Sequence, residues 1–174
     1  KEMFKRVFST IPQYGGIGER ALKHLFQERP PFVKLLGMKV ISIEENKASM
    51  SLDFHNDLVG NLRIPSLHGG VTATFIDHCS GLCAWSTLRD PYQTVSTVDL
   101  RVDYLSPALC EDHICEAEIV QKGNKLIRVD ATIWNQKKTN KVALGRVLFK
   151  VIKQDVHIGN AMEESMKSLE KNNK

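Results

Sequence analysis

Charge is almost absent from one long stretch of this 174-residue chain. Between Arg63 and Arg89 the only residue with a formal charge is Asp77. Removing a carboxylate from water costs roughly several kcal/mol, and no Lys or Arg stands one helical turn away to neutralise it. Because such a carboxylate is usually either used in chemistry or satisfied by its surroundings, Asp77 is the first candidate for a functional residue. The alternative is a buried Asp that accepts from a backbone N–H or a hydroxyl.

Other absences exclude whole classes of protein. No apolar run reaches the ~18 residues of a membrane span, and no apolar segment follows the charged first residues as it would in a secretory signal. The net charge of +4 is small and scattered, which argues against nucleic acid as a partner. Hydrophobic residues at 42% and charged residues at 25% are typical of globular chains. We expect one core domain that needs neither a membrane nor nucleic acid.

The sequence also lacks CxxC pairs and other disulfide or metal signatures. Its cysteines are few and unevenly spaced: Cys79, Cys83, Cys110 and Cys115. The first two lie one helical turn apart in the apolar stretch, where a thiol behaves as a small apolar side chain. A metal site that adds His68 and His78 is the alternative, but a second ligand pair is missing. We predict free thiols, no metal, no cofactor and a reducing, cytoplasmic setting.

Three segments are predicted along the chain. Residues 1–36 form a helical extension, interrupted by glycines and closed at Pro30-Pro31. Residues 37–153 form the core domain, since their apolar residues recur with the periods of strands and of one helix. Residues 154–174 form a charged tail.

The core segment changes its hydrophobic period twice. Residues 38–54 alternate with a period of two, which predicts a strand pair or one long bent strand, and 55–67 are predicted as a loop. Residues 70–88 are apolar nearly all round and predict a buried helix. Four further strands are predicted at about 97–104, 112–121, 125–135 and 141–153. An antiparallel sheet that curves around one buried central helix is an α+β hot-dog fold.

The central helix begins at a glycine turn that can take part in catalysis. His68-Gly69-Gly70 precedes the apolar run, and free N–H groups at a helix N-terminus can hold an oxygen that gains negative charge. A turn that only joins loop to helix is the alternative. Eight residues of helix rise about 12 Å, so Gly69 and Asp77 of one chain cannot serve the same carbonyl. Two antiparallel helices across a twofold axis can, which predicts a homodimer with two sites.

Several motifs follow one another in a recognisable order. Asn61 precedes the His-Gly-Gly turn, Asp77 lies eight residues after the first glycine, and the strand motifs TVDL (97–100) and YLSPA (104–108) come later. With these motifs, residues 30–153 resemble the PaaI-like branch of the hot-dog acyl-CoA thioesterases. The resemblance implies hydrolysis of acyl-CoA without a cofactor. It leaves open whether the homo-oligomer is a dimer or a tetramer built from two dimers.

The resemblance also implies a role for each motif residue. The N–H of Gly69 polarises the thioester carbonyl, and Asp77 of the neighbouring subunit acts as base or nucleophile. Thr97 helps to place the attacking water. Asn61 holds the water or the substrate, and Asn56 is the alternative for this role.

Further residues are predicted to bind the substrate. His68 and Gly70 orient the turn beside the thioester. The phosphates of coenzyme A need cations and backbone donors, and these are offered by a turn between two predicted strands: Lys122, Gly123, Asn124 and Lys125. The alternative for this turn is a solvated hairpin tip.

Two other functions stay open beside hydrolysis. A hot-dog protein can bind acyl-CoA without cleaving it, for instance as a sensor, although such a protein has no need of an unpaired acid at Asp77. A hydratase or dehydratase is the third alternative. Those enzymes pair an acid with a histidine, but His78 points about 100° away from Asp77 on a helix.

Overall fold

The computed structural model describes residues 22–28, 30–90 and 92–153. Its short elements are a π-helical turn at His24–Glu28, helix α1 at Pro31–Leu35 and a 3-10 turn at Asn56–Leu58. The long helix α2 spans Gly69–Ser86. The strands are β1 (Met38–Glu44), β2 (Lys47–Leu52), β3 (Val59–Asn61), β4 (Ser66–Leu67), β5 (Gln93–Tyr104), β6 (His113–Lys122), β7 (Leu126–Asn135) and β8 (Lys141–Lys153).

Six of these strands form one antiparallel sheet around α2. Their order is β1-β2-β6-β7-β8-β5, so β1 and β5 lie at the two edges. The helix lies against the sheet with Phe75, Ile76 and Leu82 fully buried. These side chains remove large apolar areas from water, each worth roughly 1.5–3 kcal/mol. The predicted α+β hot-dog arrangement is confirmed.

A glycine in the sheet sets how closely the helix approaches. A Cβ atom placed on Gly145 of β8 would lie 2.2 Å from Cγ2 of Ile76, a separation that real structures do not tolerate. Ile76 directly precedes Asp77 in α2. Gly145 therefore determines the depth of the helical turn that carries the candidate acid.

Some sequence-based boundaries differ from the structure. The predicted loop at 55–67 contains the 3-10 turn and a short hairpin made by β3 and β4. Strand β5 begins at Gln93, four residues before the predicted start, because its polar first residues pair with β8 although they do not alternate. The predictions for 1–21 and 154–174 lie outside the described residues.

No helix among the described residues is long and apolar enough to cross a membrane.

Candidate active site

The glycine turn is a capped and exposed helix N-terminus. His68 is the N-cap of α2, and its Nδ1 accepts a hydrogen bond of 2.9 Å from the N–H of Gly70. Among the described residues no acceptor is found for the N–H of Gly69, as is usual for a first-turn donor. The hydroxyl of Tyr104 donates to the carbonyl of Gly69 at 2.9 Å. The turn is therefore held on both sides while one N–H group stays available.

Gly60 is needed for this geometry. A Cβ atom at position 60 would lie 2.5 Å from Cα and 2.6 Å from Cβ of His68. The N–H of His68 also donates to the carbonyl of Leu58 at 2.8 Å. The segment that carries Asn61 is thus packed directly against the cap of α2, and no larger residue fits between them.

Asp77 lies at the edge of the core and accepts a hydrogen bond from β5. Thr97 Oγ1 donates to Asp77 Oδ1 at 2.8 Å, although the two residues are 20 positions apart. Within the described part of the chain, no donor reaches the second carboxylate oxygen. Asp77 is half-buried in the single chain. The reason is that the sheet covers one side of α2, and Asp77 faces the side beside an edge strand.

The two candidate groups of one chain remain apart. Gly69 is the first residue of α2, and Asp77 follows it by eight residues, which corresponds to about 12 Å along the axis. No loop brings one to the other, because both belong to the same uninterrupted helix. Within one chain the N–H donor and the carboxylate therefore stay about 12 Å apart along the helix axis.

The amide oxygen of Asn61 already accepts hydrogen bonds from the backbone. Asn61 Oδ1 accepts from the N–H of Arg63 at 2.9 Å and from the N–H of Ile64 at 3.3 Å, which closes the β3–β4 turn. The amide nitrogen is the part that remains for a water or a substrate. Asn56 lies in the 3-10 turn and is exposed. The choice between Asn61 and Asn56 stays a prediction.

The predicted phosphate-binding turn lies near the opposite end of α2. The Lys122 ammonium donates to the carbonyl of Thr87, the C-cap of the helix, while Asn124 and Lys125 are exposed. Burial, and secondarily the charge of Arg89, lowers the pKa of Lys122. The N–H of Gly123 donates to a backbone carbonyl inside the turn. The role of this turn in binding coenzyme A stays a prediction.

The thiols of α2 are not suited to nucleophilic chemistry. Cys79 and Cys83 are fully buried, and their Sγ atoms donate to backbone carbonyls of the sheet. Burial raises the pKa of Cys83 to about 12 and that of Cys79 well above its ordinary value. Neither is therefore a thiolate near neutral pH. The described residues contain no group of three or more His, Cys, Asp or Glu that could hold a metal ion.

Two contacts of the site were missed from the sequence. Nε2–H of His78 donates to the carbonyl of Phe26 at 2.7 Å, so a histidine that showed no partner in the sequence has one in the N-terminal segment. Tyr104 supports Gly69 across 35 positions. The only sequence signal for the second contact is the placement of an aromatic residue at the end of the strand that carries Thr97.

Comparisons with known proteins agree with one another. The thioesterase superfamily model matches residues 65–141. The medium/long-chain acyl-CoA thioesterase YigI of Escherichia coli K12 is 32% identical over 133 residues, which cover 68% of this chain and 86% of that protein.

Solved structures show the same fold. A thioesterase family protein from Silicibacter pomeroyi is similar with a TM-score of 0.70 and 22% identity, covering 78% of this chain and 99% of that one. The PaaI protein of E. coli, from the phenylacetic acid degradation operon, is similar with a TM-score of 0.67 and 23% identity, covering 75% and 91%.

Proposed function

This chain belongs to the thioesterase superfamily, as a PaaI-like hot-dog thioester hydrolase, and from that premise we propose that it hydrolyses acyl-CoA thioesters to a free acid and coenzyme A. The observation that carries the proposal is the 2.8 Å hydrogen bond from Thr97 to Asp77. It orients one carboxylate oxygen and leaves the other without a donor among the described residues. A general base or a nucleophile needs such a free oxygen at a defined position.

The reaction uses two subunits. The N–H of Gly69 from one subunit donates to the carbonyl oxygen of the thioester and stabilises the charge that develops there. Asp77 of the other subunit takes a proton from a water that attacks the carbonyl carbon, or attacks that carbon itself. The C–S bond then breaks, and the coenzyme A thiolate leaves and is protonated. Where Asp77 is the nucleophile, this step leaves an acyl-Asp77 anhydride, and a water hydrolyses it to release the acid and restore the carboxylate. Asn61 and Thr97 position the water and the acid, and His68 keeps the glycine turn in place.

The dimer is supported by the length of α2 between the two groups. A carbonyl must lie about 3 Å from its donor and from the attacking atom, whereas eight helical residues separate Gly69 from Asp77 by about 12 Å. Two antiparallel copies of α2 across a twofold axis bring the Gly69 of each chain to the Asp77 of the other. Each dimer then holds two equivalent sites.

Mixed dimers test this arrangement directly. Gly69→Pro removes the N–H donor at the first helical position, where proline is well tolerated and where the extended backbone of His68 suits a following proline. Gly69→Pro and Asp77→Asn are each expected to be inactive. In a mixed dimer one site keeps both an intact Gly69 and an intact Asp77, so a random mixture should recover about a quarter of wild-type activity. Unmixed parents are the control, and no recovery on mixing would contradict the two-subunit site.

A non-catalytic acyl-CoA binder is the second candidate. Release of free thiol from acyl-CoA, measured with a thiol reagent, separates it from a hydrolase. Binding of acyl-CoA without thiol release would favour the binder. The hydratase alternative is weakened by a specific contact, since the His78 imidazole donates to the carbonyl of Phe26 instead of facing Asp77.

A further inference from the structure

A row of charged residues crosses five strands of the main sheet. Lys47 of β2 is the register partner of Glu118 in β6, and Glu118 is the partner of Asp130 in β7. Asp130 pairs in turn with Arg146 of β8, and Arg146 pairs with Arg101 of the edge strand β5. Residues that are directly opposite each other in neighbouring strands project from the same face of a sheet. These five side chains therefore form one continuous row.

The row lies on the outer face of the sheet, opposite the face that packs on α2. The residues next to the row along β6, β7 and β8 point the other way and are buried in the core: Ala117, Val129, Ala131 and Val147. The side chains of the row from Glu118 to Arg101 are 48% to 67% exposed. In the single chain this face is therefore accessible to a partner, and α2 is not part of it.

The order of the charges is unfavourable within one chain. From β6 to β5 the signs are negative, negative, positive and positive, so that Glu118 is opposite Asp130 and Arg146 is opposite Arg101. Like charges directly opposite each other in neighbouring strands destabilise a sheet. Ion pairs on the surface offset this cost only in part. They are Lys47–Glu118 at 3.3 Å, Asp130–Arg146 at 3.5 Å and Arg101–Asp103 at 3.2 Å.

The same order of charges is complementary to itself across a twofold axis. Two identical faces meet symmetrically when the axis lies between them and parallel to both. An axis along the strands, between β7 and β8, reverses the row in the second copy. It places Arg146 opposite Asp130 of the second copy, and Arg101 opposite Glu118 of the second copy. An axis along the row would instead place each charge opposite its own copy, so the charges favour the axis along the strands.

This arrangement completes a ring of four alternating charges at the centre of the contact. Asp130 and Arg146 already pair within each chain, and each would gain a second counter-ion from the other copy. A network of this kind contributes more than isolated surface ion pairs do. Half-buried Leu144 and Leu148 lie on either side of Arg146 in β8, and half-buried Thr132 lies beside Asp130 in β7. The charges thus lie next to side chains that a partner can bury at little cost.

One flanking contact is less favourable under the same axis. Glu116 of β6 would lie opposite Asp103 of the second copy, because Thr132 and Leu144 separate the two residues along the next row. Each acid already has a cation of its own chain, since Glu116 pairs with Lys138 and Asp103 with Arg101. The four central pairs therefore determine the sign of the interaction.

We propose that the outer face of the sheet is an interface with a second copy of this chain, formed by contacts of Arg146 with Asp130 and of Arg101 with Glu118. Because α2 lies on the other side of the sheet, this contact and the pairing of two α2 helices are compatible. Together they give an assembly of four chains. The inference concerns assembly and does not rest on the hydrolysis of acyl-CoA.

Complementary charge reversals test this interface. Arg146→Asp makes the centre of the contact entirely negative, and Asp130→Arg makes it entirely positive. Each variant should lower the association constant of this contact at least about 100-fold, because like charges that face each other across an interface repel strongly. Sedimentation at low ionic strength should then show assemblies of half the wild-type size. Lys34→Asp reverses an exposed charge on α1, outside the sheet, and is the matched control that should keep the wild-type size.

Mixing the two variants in equal amounts is the decisive measurement. Each substituted side chain then faces the opposite charge in the other variant, so the mixture should return to the wild-type size. An effect within one chain cannot produce this recovery. A wild-type size that neither reversal changes, or small assemblies that do not recover on mixing, would overturn the proposed interface.

The result does not depend on the proposed function. Size is expected to halve whether the wild type contains four chains or, without pairing of the α2 helices, two chains. Loss of activity without a change in size would bear on the two-subunit site alone. If circular dichroism shows that either variant does not fold, Arg101→Glu and Glu118→Arg are mixed in the same way and decide by the same criteria.

Discussion

The two halves of α2 have opposite surroundings although they form one continuous helix. At the start, Gly69 and Gly70 are exposed and offer backbone N–H groups. From Cys79 to Ala84 every residue is buried. Asp77 lies at the boundary, half-buried, with one oxygen held by Thr97. A carboxylate can border a buried apolar surface when it lies at the point where the burial of a helix begins.

The difference arises from what packs outside the sheet. The sheet covers one side of both halves, whereas the segment around Phe26 covers only the second half. In the first half the N–H of Gly69 has no acceptor among the described residues, and β5 carries exposed apolar residues such as Val98 and Tyr104. We expect the first half to be completed by a second copy of the chain.

Asp77→Asn tests the boundary residue itself. The amide keeps the size of the side chain and can still accept from Thr97, but it cannot take a proton or attack a carbonyl. We expect kcat to fall at least ~10³-fold, about 4 kcal/mol of transition-state stabilisation, while the protein stays folded and still binds acyl-CoA. Thiol-release kinetics measure the loss, and circular dichroism is the control for folding. Turnover near the wild-type rate would remove Asp77 from the mechanism.

Thr97→Ala tests the hydrogen bond that orients the acid. Loss of one positioning hydrogen bond should lower kcat by ~10- to 100-fold. Thr97→Ser keeps the hydroxyl and is expected to restore most of the activity, which separates orientation from packing. Equal losses in both variants would contradict the orienting role.

Asn61→Ala is expected to lower kcat by about as much as Thr97→Ala does. Comparing the kcat of Asn61→Ala with that of Asn56→Ala identifies which side-chain amide acts at the exposed start of α2. If Asn56→Ala is damaging and Asn61→Ala has no effect on kcat, Asn56 holds the role.

Gly145→Ala tests the contact that positions the turn of Asp77 on the sheet. The added methyl group would clash with Ile76, and overpacking of this kind costs about 1–3 kcal/mol of unfolding free energy. Gly81→Ala is the matched control, because its methyl group makes ordinary contacts and should stabilise the helix by up to about 1 kcal/mol. Urea unfolding measures both. Similar changes in the two variants would mean that Gly145 does not set the helix depth.

His68→Ala tests the cap of the exposed half. Loss of the hydrogen bond to Gly70 should lower the unfolding free energy by about 1 kcal/mol. His68→Asn keeps a side-chain acceptor and should recover most of that loss. An unchanged stability in His68→Ala would show that Tyr104 alone holds the turn.

The smallest expected effect is a dependence of folding stability on pH, which arises from two largely buried histidines. Burial lowers the pKa of His78 and of His113, so the unfolded chain binds protons more readily than the folded one near pH 6.5. Stability should therefore be fully present above about pH 6.5 and decline as the pH falls below it. Urea midpoints measured between about pH 5 and 8 follow this decline. His113→Leu should flatten the curve, and a variant that keeps the full slope would show that His113 does not contribute.

Much of the fold and part of the site were predictable from local pattern. The apolar run predicted α2 to within two residues at either end, and three of the four later strands were predicted to within one residue. Asp77 was identified because charge is absent around it, and Thr97 was assigned only by the resemblance to the thioesterase family. The degree of burial of Asp77 was not predictable, since an apolar neighbourhood in sequence does not say which side of a helix a sheet will cover.

The sequence by itself determined the elements and the chemical groups, because hydrophobic period, glycine placement and missing charge are local properties of the chain. Only the tertiary structure decided which of those groups contact one another. It brought Thr97 to Asp77, Tyr104 to Gly69 and Phe26 to His78, across 20, 35 and 52 positions. Such contacts depend on strand order and on how closely the helix packs against its sheet. Both are outcomes of packing the whole core at once, which no single stretch of sequence specifies.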